Sequence, residues 1–158
     1  MLLADADLDV VSIVAQPFLL IEGVEAKSRR KVPDFFLEHR SGACTVVNVK
    51  TARKLNDPKV AATLAWAREV VEAKGWVAEV WTGCDPLVLA NVRFLAGYRR
   101  SWLFDRAQVE AAEAAIVEGD TFGRLERRLW TAGVVEPRPL VLHLLWTGTR
   151  SRRPGVPA

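Results

Sequence analysis

The sequence predicts an α/β protein: a mixed β-sheet flanked by helices, followed by a small unit. Three observations carry this. Lys31–Leu37 and Cys44–Thr51 read as short strands rich in Val and Phe, joined through a turn at Gly42. A strand, a capped helix and another strand then run from Cys44 to Trp81, a crossover whose two strands pair in parallel. Beyond Arg100 the text turns to alanine-, glutamate- and arginine-rich segments with helical spacing.

Taken in order, Val10–Val14 alternates as a strand, breaks at Gln16–Pro17 and resumes through Phe18–Ile21. Pro17 has no amide to donate, which favours a sheet edge or a bend. Glu22–Lys27 is polar, contains Gly23 and reads as a hairpin tip leading to Arg29, Arg30 and Lys31. After the second of the two Val-rich strands, Thr51–Asn56 connects to a helix that Asp57 caps and Pro58 begins. Val60, Leu64, Ala67 and Val71 form its buried stripe, Lys59, Arg68, Glu69 and Lys74 face outward, and Gly75 stops it. Trp76–Trp81 is the parallel strand, Thr82–Pro86 a turn and Leu87–Leu95 a second packing helix. Trp66, Trp76 and Trp81 are expected in the core or covering the sheet.

A boundary is expected near Tyr98–Ser101, giving a domain of residues 1–98, a unit of residues 99–148 and a disordered basic tail, 149–158. In the second unit, Ala107–Val117 and Phe122–Trp130 are helices separated by Gly119–Asp120, and Pro139–Trp146 is either a last helix or a wing strand. The unit is therefore helical or winged-helix-like: a cap on the first domain, or a module that binds DNA or a partner. His143, bracketed by leucines, is expected in its core.

A net charge of +3 in 158 residues permits nucleic-acid binding without requiring it. Two cysteines and two histidines are too few and too scattered for a structural zinc site; Cys44 and Cys84 read as small buried hydrophobes of a reducing cytosol. Met1–Ala4 runs into Asp5, Asp7 and Asp9, unlike an export signal, and no run of about twenty apolar residues suits a membrane span. A cytoplasmic protein with no membrane partner is expected.

The chemistry-bearing residues are Asp34, Asn48 and Lys50. Strand alternation puts Asn48 and Lys50 on one face, with Val47 and Val49 on the other, and the hairpin brings Asp34 to the same edge. Mg²⁺ takes oxygen ligands, often only one or two carboxylates plus waters and phosphates. A lysine beside it can orient water or stabilise charge developing on a phosphate. On spacing alone, three polar residues in a hairpin are more often a solvated flank.

Pro33-Asp34-Phe35 followed by Asn48-Val49-Lys50 resembles the PD-(D/E)-x-K nuclease signature. Together with Asp9–Phe18, Gly75-Trp76, Asn91–Arg99 and Leu144–Gly148, in that order, the chain is similar to the TnsA-like endonuclease subunits of heteromeric transposases over about residues 8 to 148. The resemblance implies a restriction-endonuclease-like fold and Mg²⁺-dependent (or Mn²⁺-dependent) hydrolysis of double-stranded DNA at transposon ends, beside a second transposase subunit. It implies that Asp34, Asn48 and the main-chain carbonyl of Val49 ligate the metal and that Lys50 serves the water or the transition state. Asp34, Asn48 and Lys50 are thus the expected catalytic set. Arg29, Arg30, Lys31, Arg53, Lys54, Arg124, Arg127 and Arg128 are the expected contacts to DNA.

Two departures accompany the resemblance. Asn48 stands where such nucleases carry an acid, although the transposase subunits accept an amide there. The family's further glutamate lies on a helix upstream of the first strand; here no glutamate precedes Glu22, and the chain is expected to be N-terminally truncated relative to them. Glu22 and Glu25 fall at the hairpin tip, and Asp5, Asp7 and Asp9 are the other available acids. The alternative reading is a catalytically degenerate nuclease-fold module that binds DNA or a transposase partner.

Overall fold

The computed structural model describes residues 1–23 and 29–148. They divide into two compact units, Leu3–Pro86 and a second beginning at Leu87. Glu25, in the hairpin tip, and the tail 149–158 lie outside the described residues.

The strands of the first unit are β1 (Val10–Ala15), β2 (Leu20–Glu22), β3 (Arg29–Lys31), β4 (Phe35–His39), β5 (Cys44–Val49) and β6 (Val77–Trp81). Four of them make a mixed sheet in the order β1-β4-β5-β6, antiparallel except for the parallel β5/β6 pair; β2 and β3 form a separate hairpin. This is the mixed α/β arrangement expected of a restriction-endonuclease-like fold. Gly42, at φ 83°, makes the β4–β5 turn. At the edge of the sheet, Gln16 adopts φ 48°, a left-handed conformation unusual for a side-chain-bearing residue, just before Pro17. Its amide donates to the Asp34 carbonyl (3.0 Å), so β1 ends where the Asp34 segment begins.

Alternation along β5 sorts the core. Val47 packs with Leu37 and with Ala4 of the short helix α1 (Leu2–Asp5), joined by Ile13, Phe35 and Trp81. On the other face, Val46 lies opposite Phe36, whose ring meets Trp76 edge-on at 5.1 Å. Val46 and Val47 are both fully buried, so the middle of β5 is covered on both faces. Burial of one such side chain contributes about 1.5–3 kcal/mol.

The segment Ala52–Leu55, read as a loop, forms a single helical turn, α2. Helix α3 (Pro58–Glu72) follows, with the Asp57 carboxylate accepting from the Lys59 amide (2.8 Å). Trp66, Ala67 and Val71 are its buried face, and Gly75 ends the segment at φ 78°. Cys44 is half-buried and Cys84 is exposed, contrary to the expectation of two buried thiols. Cys84 sits between Gly83 and Asp85-Pro86 in the turn after β6, and that turn is exposed.

In the second unit, α4 (Pro86–Leu95), α5 (Arg106–Ala114), α6 (Phe122–Thr131) and α7 (Pro137–Thr147) are accompanied by two short 3₁₀ turns; no strand occurs among its described residues. The Pro139–Trp146 stretch is thus helix, with Pro137 in its first turn and Gly148 as a left-handed cap. Leu125 and Leu129 of α6 pack with Leu140, Val141 and Leu144 of α7 and with Ala112. His143 is 2 % exposed; its Nδ1 donates to the Tyr98 carbonyl (2.6 Å) and its ring stacks on Phe104. That bond ties residues up to Tyr98 into the second unit, so the division falls after Pro86 rather than near residue 98.

Candidate active site

The β4/β5 register pairs Phe35 with Val47 and Phe36 with Val46, and Asp34 lies just before it, in the bend that leads into β4. Pro33, fully buried, and the Asp34 amide, which donates to the Val47 carbonyl (3.1 Å), hold the turn into β4. The Asp34 carboxylate accepts the Val49 amide (2.8 Å) through Oδ2, and the Lys50 ammonium stands 3.7 Å from the same oxygen. Lys50 Nζ also donates to the Val49 carbonyl (2.9 Å), and the Lys50 amide to Trp81 (2.9 Å). The Asp34 carboxylate and the Lys50 ammonium are thus in contact at the end of β5, the strand that also carries Asn48.

Asn48 is 5 % exposed, and its Oδ1 is fully buried without a hydrogen-bond partner. Leaving such an acceptor unsatisfied costs about 1–3 kcal/mol. A hard cation or its hydration water would satisfy it, and the donors here (a carboxylate, a carboxamide oxygen and the free lone pair of the Val49 carbonyl) are all oxygen. The set fits Mg²⁺ in type. It provides one carboxylate: among the described residues no three His, Cys, Asp or Glu side chains gather to hold a metal.

The other acids are engaged elsewhere. Asp9 accepts from His39 Nδ1 (3.0 Å), while His39 Nε2 meets the Thr45 hydroxyl (2.9 Å). A carboxylate only accepts, so the proton sits on Nδ1. Thr45 and Asn48 alternate to opposite faces, which puts Asp9 on the far side of the sheet. Asp7 lines a small cavity of about 190 Å³ on that side with Leu37, Thr45 and Trp81. Glu22 pairs with Arg29 across the β2/β3 hairpin (3.8 Å).

Of the expected DNA contacts in this unit, Arg29, Arg30, Arg53 and Lys54 are exposed, whereas Lys31 is half-buried. Burial pushes the Lys31 ammonium below the usual lysine value; the Asp34 carboxylate pulls it back up and Lys50 pushes it further down. In the second unit Arg124 and Arg127 are exposed on α6. Arg128 is instead a structural clamp: its guanidinium forks onto Asp120 (2.6 and 3.1 Å) and donates to the Ala115 carbonyl. The break at Gln16–Pro17 was legible in the sequence, but the left-handed φ of Gln16 was not, since a residue before proline ordinarily stays extended.

Among the described residues no helix is long and apolar enough to cross a membrane. Comparison with curated proteins finds no match. Residues 7–83, which contain every strand of the sheet together with Asp34, Asn48 and Lys50, match the family model described as TnsA-like endonuclease N terminal. The domain that carries this site belongs to the TnsA-like endonuclease family.

Proposed function

We propose that the chain is the Mg²⁺-dependent DNA endonuclease subunit of a transposase, with Mn²⁺ as a substitute ion, and that it hydrolyses phosphodiester bonds at transposon ends. It would act on double-stranded DNA in the cytoplasm, beside a second transposase subunit. The observation that supports this best is the contact of Asp34 with Lys50 and the Val49 amide, beside the buried, unpartnered Asn48 oxygen, within a TnsA-like domain.

In this reading Asp34, the Asn48 carboxamide and the Val49 carbonyl hold the ion, which when bound supplies charge neutralisation and lowers the pKa of a water. Lys50, held by Val49 and Asp34, orients the attacking water or stabilises the charge that grows on the phosphoryl oxygens. Arg29, Arg30, Arg53 and Lys54 meet the DNA backbone, and Arg124 and Arg127 do so from the second unit. Nicking of supercoiled DNA in Mg²⁺ or Mn²⁺, lost in Asp34→Ala and in Lys50→Ala, is the expected result.

The single carboxylate favours a second reading: a catalytically degenerate nuclease-fold module that binds DNA or the transposase partner. DNA binding that survives both substitutions, in a chain that cuts nothing even with its partner subunit present, would select it.

A further inference from the structure

Among the described residues every left-handed backbone position but one is a glycine, the residue that takes this conformation at no steric cost. The exception is Gln16, at φ 48°, and the Pro17 that follows restricts it a second time, because a residue before proline ordinarily stays extended. The fold holds it from both sides. Behind it, β1 pairs with β4 up to Ala15 and Phe35; ahead of it, the Phe18 ring packs on Phe36 and Trp76, with centroids 6.1 and 5.8 Å apart. A glycine would meet that backbone requirement without strain, so the fold does not account for the side chain. Strained positions of this kind collect at functional sites. Gln16 is at one: its amide donates to the Asp34 carbonyl (3.0 Å), while the Asp34 carboxylate accepts the Val49 amide and stands 3.7 Å from Lys50 Nζ. Gln16 is also exposed, and its carboxamide has no hydrogen-bond partner among the described residues.

We propose that Gln16 is a substrate-contacting residue: its carboxamide N–H donates to a phosphodiester oxygen of the DNA strand presented to Asp34. A carboxamide carries two donors, and glutamine is among the side chains that hydrogen-bond backbone phosphate. Being neutral, it takes that oxygen without adding charge beside Asp34 and Lys50. A glycine would keep the turn and leave the oxygen without its donor. The assignment rests on the nuclease reading above and deepens it.

The test reads stability and function separately on the full chain. Gln16→Gly keeps the left-handed turn and removes only the carboxamide; Gln16→Glu keeps the stem and puts a negative charge where the donor was. By calorimetry, Gln16→Gly should melt at or above the wild-type temperature. Its affinity for a short DNA duplex, followed by fluorescence anisotropy in EDTA, should fall about threefold to tenfold, and that of Gln16→Glu further. In nicking of supercoiled DNA with Mg²⁺, Gln16→Gly should lose about tenfold in kcat/KM; Gln16→Asn, which tolerates the backbone and keeps a carboxamide, should recover part of it. Wild-type affinity together with wild-type cleavage in Gln16→Gly overturns the contact and leaves the nuclease reading standing. A lower melting temperature in that variant overturns the premise that the fold needs only a glycine there. A chain that binds DNA through Gln16 yet never cuts it, even with Mn²⁺, overturns the nuclease reading and keeps the contact. A chain that neither binds nor cuts DNA overturns both.

Discussion

Replacing Asn48 with aspartate tests the cation site without requiring catalysis. If Asp34 and Asn48 hold one cation, as proposed, their side-chain oxygens lie within about 5 Å of each other, so the variant holds two carboxylates at that spacing, one of them at an almost fully buried position. At an effective dielectric constant of about 20, that repulsion is about 3 kcal/mol. Asp34 is 37 % exposed and has Lys50 3.7 Å away, so screening reduces the net penalty to about 2 kcal/mol. For a chain of 158 residues this is a fall in Tm of roughly 4–8 °C in EDTA.

The sign with pH follows from linkage. Repulsion raises the pKa of the paired acids in the native state above their unfolded value. The native state then binds more protons between the two values, and stability falls as pH rises through them. The deficit therefore vanishes below about pH 4. Mg²⁺ at a hundredfold excess over its Kd returns about 2.7 kcal/mol, enough to cancel the deficit at neutral pH. Differential scanning calorimetry of wild type and Asn48→Asp, with EDTA and with Mg²⁺, reads all of this. If Mg²⁺ raises both midpoints equally, Asp34 and position 48 do not share a cation, and the metal assignment is wrong.

Other outcomes follow from the packing. Thr45→Val leaves His39 Nε2 without its buried partner and should cost about 1–3 kcal/mol in urea denaturation. Leu129→Ala removes one of the largest fully buried side chains of the second unit and should cost about 2–5 kcal/mol by the same measurement. The Arg128 hydrogen bonds hold the Asp120 carboxyl below the usual aspartate value, partly opposed by desolvation. Its stabilising contribution is present above the unfolded pKa and lost as pH falls through the lower folded one. Asp120→Ala should therefore flatten the acid limb of the stability profile, and an unchanged profile would deny the clamp its role.

Local patterning made much of the first unit legible. The period-2 runs of β1, β5 and β6, the Asp57-Pro58 start of α3 and the positive-φ glycines at Gly42 and Gly75 each act within a few residues, where sequence suffices. The same holds for His143, whose leucine neighbours announced a core position. Cys84 misled because the usual burial of cysteine does not hold in a turn, and Gly83 and Pro86 place it in one. Arg128 misled for a related reason: a cation on a helix reads as a free charge until an acceptor such as the half-buried Asp120 is found beside it.

The sequence by itself determined the α/β class, the strand–helix–strand crossover and the side of β5 on which Asn48 and Lys50 fall, because alternation and capping are local. Tertiary structure decided that Asp34 stands beside Lys50 and accepts the Val49 amide, that Asp9 is on the far face with His39, and that Lys31 is half-buried while Arg29 is exposed and pairs with Glu22. Those outcomes depend on strand register and on which charges lose their water together, and both are set only when distant segments pack.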